Sequence, residues 1–213
     1  HIVSRRQRQM CIRDRVYIMA NSAAGQCVSS SNSAIVTSGA SVTDLMVATN
    51  ATLNLSGSTS IKGDLTNDGT INAGSSTLIF DGSSNQTVSG NALTLDNMTV
   101  NKGSGNLIMN NGTPISVNGV LDLSSDISTG SNVLSVGTSS LSTGSILLNG
   151  GIVLGKLRRY FENATGSKSF PVGISGTMRD VAIDLTSAPG DDQYITASYN
   201  TGYPQANDGS DLY

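Results

Sequence analysis

The stretch from Asn91 to Val136, NALTLDNMTVNKGSGNLIMNNGTPISVNGVLDLSSDISTGSNVLSV, decides the fold. Its apolar residues alternate with polar ones in short bursts: Leu93-Thr94-Leu95, Met98-Thr99-Val100, Leu107-Ile108-Met109, Ile115-Ser116-Val117, Leu121-Asp122-Leu123 and Leu134-Ser135-Val136. Period-two alternation is the mark of a half-buried strand, and the Asn-Gly, Ser-Gly and Thr-Gly pairs between bursts mark turns. Strands this short bury too little to stand alone, so each needs a neighbour stacked above and below.

The same bursts occur upstream, at Leu53-Asn54-Leu55 and Leu78-Ile79-Phe80, and a longer repeat joins the two regions. Ile61, Gly63, Leu65, Ile71, Gly74, Leu78 and Phe80 recur 56 residues later as Val117, Gly119, Leu121, Ile127, Gly130, Leu134 and Val136. Solenoid units run roughly 20–45 residues, so the offset reads as two or three coils. The expected fold is all-β with almost no helix. A parallel β-solenoid, β-helix-like, covers 16–150, and the start of a truncated, β-sandwich-like second all-β module covers 151–213. Leu, Ile and Val point inward, while Ser, Thr, Asn and Asp face water. Asn110, Asn111 and Asn118 are candidates for amide ladders between coils. An antiparallel sandwich is the alternative, since turn signals every 8–12 residues suit it as well.

Residue types agree. Fourteen of the fifteen acids are Asp, only Glu162 is Glu, and Gly, Ser, Thr and Asn dominate. These are poor helix formers and good turn formers. Composition shifts near Gly150. Tyr17 and Phe80 are the only aromatics before Tyr160, and seven follow from there. Basic residues return as well, at Lys156, Arg158, Arg159, Lys168 and Arg179.

The N-terminus is unlike the rest. RRQRQMCIRDR, Arg5 to Arg15, holds five of the twelve basic residues. Only a short apolar run follows, which does not make a signal peptide. Back-translated, the stretch resembles a transposon-based sequencing adapter, so residues 1–15 read as a sequencing artefact outside the native fold. Setting them aside leaves seven basic against fourteen acidic residues, a formal charge of −7. Nucleic-acid binding by phosphate neutralisation is not expected of such a chain. The single histidine, His1, goes with that segment, as does Cys11, which leaves Cys27 alone. Histidine-based acid–base chemistry and an internal disulfide are therefore not expected. No apolar run approaches the ~20 residues of a membrane span. The remainder reads as an internal piece of a longer protein.

The runs QTVSGNALTLDNMTVNKGSGNLIMNN (86–111), ISVNGVLDLSSDISTGSNVLSVG (115–137), GKLRRYF (155–161) and SFPVG…MRDVAIDL (169–185) carry a family resemblance. They resemble large bacterial surface and secreted proteins whose β-solenoid or Ig-like regions precede a C-terminal sorting domain for type IX secretion. The resemblance covers about Thr59 to Asp184 and implies an extracellular or cell-surface location. It assigns no catalytic residue.

The expected function is a non-catalytic structural or adhesive segment, a rigid spacer or presentation scaffold. Glycan, other cell-surface components and other domains of the full-length chain are its candidate partners. No catalytic, metal or cofactor residue is assigned. The alternative is a polysaccharide-processing β-helix enzyme, a lyase or hydrolase, which needs paired carboxylates or Asp-bound calcium with a basic proton acceptor. Asp122 and Asp126, with Asp64 and Asp68 about one repeat earlier, are the candidate carboxylate row, and Lys62 and Lys102 the only basic residues between Val16 and Gly155. Calcium at Asn207–Asp211 or Asp191-Asp192 is weighed against ordinary Asp turns, and the turn is preferred. Asn97 and Asn163 head Asn-x-Thr sequons, relevant only to eukaryotic secretion. Arg158, Arg159 and Arg179 are read as strand residues pairing with Glu162, Asp180 or Asp184 rather than as an anion patch.

Overall fold

The computed structural model describes residues 15–18, 33–36 and 38–200. Among them there is no helix, and the chain winds as a parallel β-solenoid of about seven turns. Each turn lays one strand on each of three faces. The first face carries β1 (Arg15–Ile18), β4 (Asp44–Val47), β7 (Leu65–Asn67), β10 (Gln86–Gly90), β13 (Leu107–Met109) and the starts of β16 (Ile127–Val136) and β18 (Val153–Phe161). The second carries β2 (Ser33–Val36), β5 (Thr52–Leu55), β8 (Thr70–Asn72), β11 (Leu93–Leu95), β14 (Ile115–Val117) and the later parts of β16 and β18. The third carries β3 (Ala40–Val42), β6 (Ser58–Ile61), β9 (Thr77–Phe80), β12 (Asn97–Val100), β15 (Val120–Leu123) and β17 (Ser145–Leu148).

Stacking in register converts sequence alternation into columns. On the third face Ile61, Phe80, Val100, Leu123 and Leu148 stand one above another, beside Thr59, Leu78, Met98, Leu121 and Ile146. On the second face Leu93, Ile115, Leu134 and Leu157 do the same. The buried members form a single apolar cluster that runs the length of the solenoid. Each fully buried Leu, Ile or Phe contributes about 1.5–3 kcal/mol relative to exposure. Glycine sits where two coils approach most closely. Gly90 has φ +97°, and a Cβ there would lie 2.3 Å from the Asn67 carbonyl oxygen of the coil below. No other residue type fits both conditions.

Two expectations change and one gains detail. The 56-residue offset is not a return to the same face. Leu45, Leu65, Val88 and Met109 are successive first-face partners, separated by 20, 23 and 21 residues. A shift of 56 carries Leu65 on the first face to Leu121 on the third, and Ile71 on the second to Ile127 on the first. The repeat is one of strand-and-turn units, and it falls short of three whole coils.

Second, the described strands after Gly150 pair with the solenoid's own strands. β18 continues the solenoid ladder, and β19 (Gly166–Ile174) follows it in parallel at Val153↔Val172. β20 (Thr177–Leu185) then folds back antiparallel on β19, and β21 (Gln193–Ser198) lies antiparallel on β18. All four strands belong to one twelve-stranded sheet that runs from the first face onto the second. Phe161, Phe170 and Val172 join the solenoid's own apolar cluster. Tyr160, Phe161 and Phe170 are buried at this end of the described core, whereas Tyr194 and Tyr199 are exposed. The third face ends lower, at β17, where Ile146 is half-buried and Leu148 exposed although both point inward.

Third, Asn110, Asn111 and Asn118 do not form an amide ladder. Asn110 Oδ1 accepts the Asn111 amide, Asn111 accepts the Ser131 hydroxyl, and Asn118 Oδ1 accepts Thr138 Oγ1 at 2.7 Å. An amide pair between coils occurs instead at Asn54 and Asn72, 2.8 Å apart. Arg15, the last residue of the adapter-like segment, opens β1. The rest of that segment, including His1 and Cys11, lies outside the described residues, as do Cys27 and Asn207–Asp211.

Candidate functional site

The corner leading from the third face to the first collects most of the chemistry-bearing side chains. It takes three residues between β6 and β7 and three between β15 and β16, but five between β9 and β10 and six between β12 and β13. The two longer corners stack on each other and enclose a small polar interior.

Gln86 occupies that interior and is completely buried. Its Oε1 accepts the Gly82 amide at 2.9 Å and Lys102 Nζ at 2.6 Å. Its Nε2 donates to the carbonyls of Ile61 (2.9 Å) and Gly63 (2.5 Å). Above Gln86 in register stand Leu107, Ile127 and Val153, so the amide forms the polar foot of an apolar column. Lys102 is 8% exposed. Burial pushes its ammonium pKa below the ordinary value, and the negative charges of Asp81 and Asp64 partly oppose the shift. Outside this interior, Lys62 Nζ lies 3.2 Å from Asp81 Oδ2, and the Ser60 hydroxyl donates to Asp81 Oδ1 at 2.7 Å.

The candidate carboxylate row is dispersed. Asp64, before Leu65, and Asp126, before Ile127, lie at the same corner three coils apart but on rows two positions apart, since Leu65 is in register with Val88 and Ile127 with Leu107 and Gln86. Asp68 follows β7 at a different corner, and Asp122 points outward from the middle of β15. The corner acids serve the backbone of the next coil. Asp44 Oδ1 accepts the Asp64 amide (2.9 Å), Asp64 Oδ1 the Thr87 amide (2.8 Å) and Asp126 Oδ1 the Ile152 amide (3.0 Å). Asn85 does the same for Asn106 at 2.9 Å. Two neighbouring rows of Asx residues, Asp44 with Asp64 and Asn85 with Asp126, thus stitch coil to coil at this corner. Asp122 accepts Ser124 Oγ and Asn149 Nδ2. Replacing Asp64 by Ala should lower the unfolding free energy by about 1 kcal/mol, and by Asn by less, because the acceptor is kept. Urea midpoints followed by circular dichroism give the comparison, and equal midpoints for all three proteins would remove the stitching role.

The C-terminal arginines depart from expectation. Among the described residues, none of Arg158, Arg159 and Arg179 forms an ion pair with Glu162, Asp180 or Asp184. Arg158 is exposed, with Nε donating to Thr196 Oγ1 at 3.2 Å, and Arg179 lies 5.9 Å from the Tyr199 ring centre. Arg159 ends the inward column Leu95, Val117, Val136 and is buried. Its guanidinium donates to the carbonyls of Ser169 (2.8 Å) and Gly144 (3.3 Å), and burial pushes its pKa down to about 10. Asp192 Oδ1 accepts the Asn163 amide, and the Asn163 side chain pairs with Gly190. Asn97 Oδ1 accepts the Val120 amide.

Gln86 was not among the residues singled out from sequence, and Lys102 was noted only as a scarce basic residue. Both lie in turn-rich segments that read as solvent-exposed. No protein-family model, curated protein or solved structure matches this chain.

Proposed function

We propose that the chain is a non-catalytic presentation segment of a large bacterial cell-surface or secreted protein, a stiff polar-coated rod that spaces or displays neighbouring modules. The observation that carries this reading is how the acids are engaged: at the widened corner and its neighbours, carboxylates bind the amides of adjacent coils and so tie the rod together. The basic groups nearby are committed as well, Lys62 to Asp81 and Lys102 to Gln86. The resemblance to type IX surface proteins supports the extracellular setting. A polysaccharide lyase or hydrolase is the second reading, favoured by the Lys62–Asp81 pair standing beside exposed Asp64.

Stiffness is directly measurable. Ser41 and Leu147 occupy one outward column on the third face, five ladder steps apart through Ser60, Ile79, Thr99 and Asp122. At ~4.8 Å per step their backbones are separated by about 24 Å along the axis. Spin labels at Ser41→Cys and Leu147→Cys, with Cys11 and Cys27 changed to Ser, should give one narrow distance distribution consistent with that separation plus the label arms. A broad distribution would sink the rigid-spacer reading. Chain shortening of any polysaccharide by the purified protein, lost on Asp81→Asn, would establish the enzymatic reading instead.

A further inference from the structure

We propose that the outward second-face surface of the last coil binds a carboxylate-bearing polysaccharide, such as a uronic-acid polymer. This deepens the presentation reading and rests on it. The surface is built where β18 and β21 pair antiparallel. Lys156 faces Ser198, Arg158 faces Thr196 and Tyr160 faces Tyr194 across the ladder. Lys156, Arg158, Tyr194, Thr196 and Ser198 are all exposed, whereas Leu157, Ile195 and Ala197 between them pack on the core.

The arrangement has the parts needed to hold a sugar acid. Lys156 and Arg158 project from one side of one strand, about 6.6 Å apart by strand geometry. With Nε on Thr196, the remaining guanidinium donors of Arg158 are directed at solvent, where a bidentate carboxylate contact fits. Tyr194 supplies the apolar platform. It is 54% exposed, yet its ring is fixed: Oη donates to the Thr138 carbonyl at 2.6 Å, and the ring meets Tyr160 edge-on at 5.4 Å. A half-open, immobilised aromatic stacks on a pyranose face with little loss of side-chain freedom. Thr196 and Ser198 place hydroxyls beside the cations, directly across the ladder from Arg158 and Lys156.

Basic residues concentrate toward this end, which also carries Lys168, its Nζ 5.7 Å from the Phe161 ring centre. Between Ser38 and Gly150 the body carries seven Asp against two Lys, and those two are ion-paired (Lys62) or buried (Lys102). Arg159 is buried at the head of its column, and Arg179, on β20, lies against Tyr199, the residue after Ser198. Asp192, toward the tyrosine end, is held by the Asn163 amide.

Affinity electrophoresis of the full chain tests this, with polygalacturonate, neutral dextran or single-stranded DNA cast in the gel. Retardation by polygalacturonate relative to dextran is expected, weakening as salt rises. Lys156→Ala with Arg158→Ala should reduce it at least tenfold in apparent affinity. Tyr194→Ala should reduce it several-fold without changing the salt dependence, and Arg158→Lys should restore part of the binding. No retardation of the parent protein, or a double variant that binds like the parent, would overturn the proposal. Equal retardation by DNA would also overturn it, since that would be charge alone. The Ser41–Leu147 spin-label distance, repeated in each variant, separates loss of the surface from loss of the rod.

Discussion

Replacing Gln86 by Leu is expected to destabilise the protein by about 3 kcal/mol, more than most single surface or turn changes. The side chain is completely buried and satisfies two donors and two acceptors at once: the Gly82 amide, Lys102 Nζ, and the Ile61 and Gly63 carbonyls. Leucine has similar bulk but leaves all four groups without that partner, and a buried group left unsatisfied costs about 1–3 kcal/mol, more when it is charged. Pairing the change with Lys102→Met should recover part of the loss, because the uncompensated ammonium is then gone. A double variant no more stable than Gln86→Leu would mean that the lysine is not confined. The pH dependence has a definite sign. The folded-state pKa of Lys102 lies below 10.5. Below that folded value both folded and unfolded chains hold the proton, and the burial penalty is present in full. As pH rises through the folded value toward 10.5, the folded chain gives up its proton first, so stability rises across that window. Lys102→Met should lack this rise, and the difference between the two stability–pH curves isolates it.

Replacing Phe80 by Ala should cost about 3–5 kcal/mol, the range for a fully buried aromatic. Phe80 is 0% exposed, with Ile61 below it and Val100 above in the third-face column. A linear stack holds together through contacts between neighbouring coils. A cavity at this rung therefore weakens the coupling between the coils on either side as well as the local packing. The urea transition should shift to lower midpoint and broaden into two phases. Ile79→Ala, one residue away but pointing outward from the same strand, should change stability by less than about 0.5 kcal/mol. Similar losses at both positions would contradict the inward–outward alternation on which the fold rests.

Much of that alternation is legible in the chain. Leu93/Leu95, Ile115/Val117, Leu121/Leu123 and Leu134/Val136 point inward as their spacing predicts, because side-chain direction along a strand depends only on local geometry. The same parity could have placed Arg159 inside, since Leu157 and Phe161 flank it at spacing two. Charge alone suggested a surface pairing that the fold does not make. Gln86 and Lys102 carry no such signal. One opens a strand and the other sits in an Asn-Lys-Gly-Ser-Gly turn, and only the stacking of two widened corners puts them together.

Residue order by itself determined that the chain forms short strands, which side of each strand is apolar, and that helices are absent from the described residues. These are short-range properties, set by one residue and its neighbours two positions away. The coil length, the face on which each strand lands, and the merging of the C-terminal strands into the solenoid's own sheet were decided by the tertiary structure. Corners of unequal length, one residue between β3 and β4 but six between β12 and β13, change the coil length, so equal spacing in sequence does not mean the same place in space. Register is chosen instead by which apolar rows can close over one another and leave the fewest backbone groups unpaired.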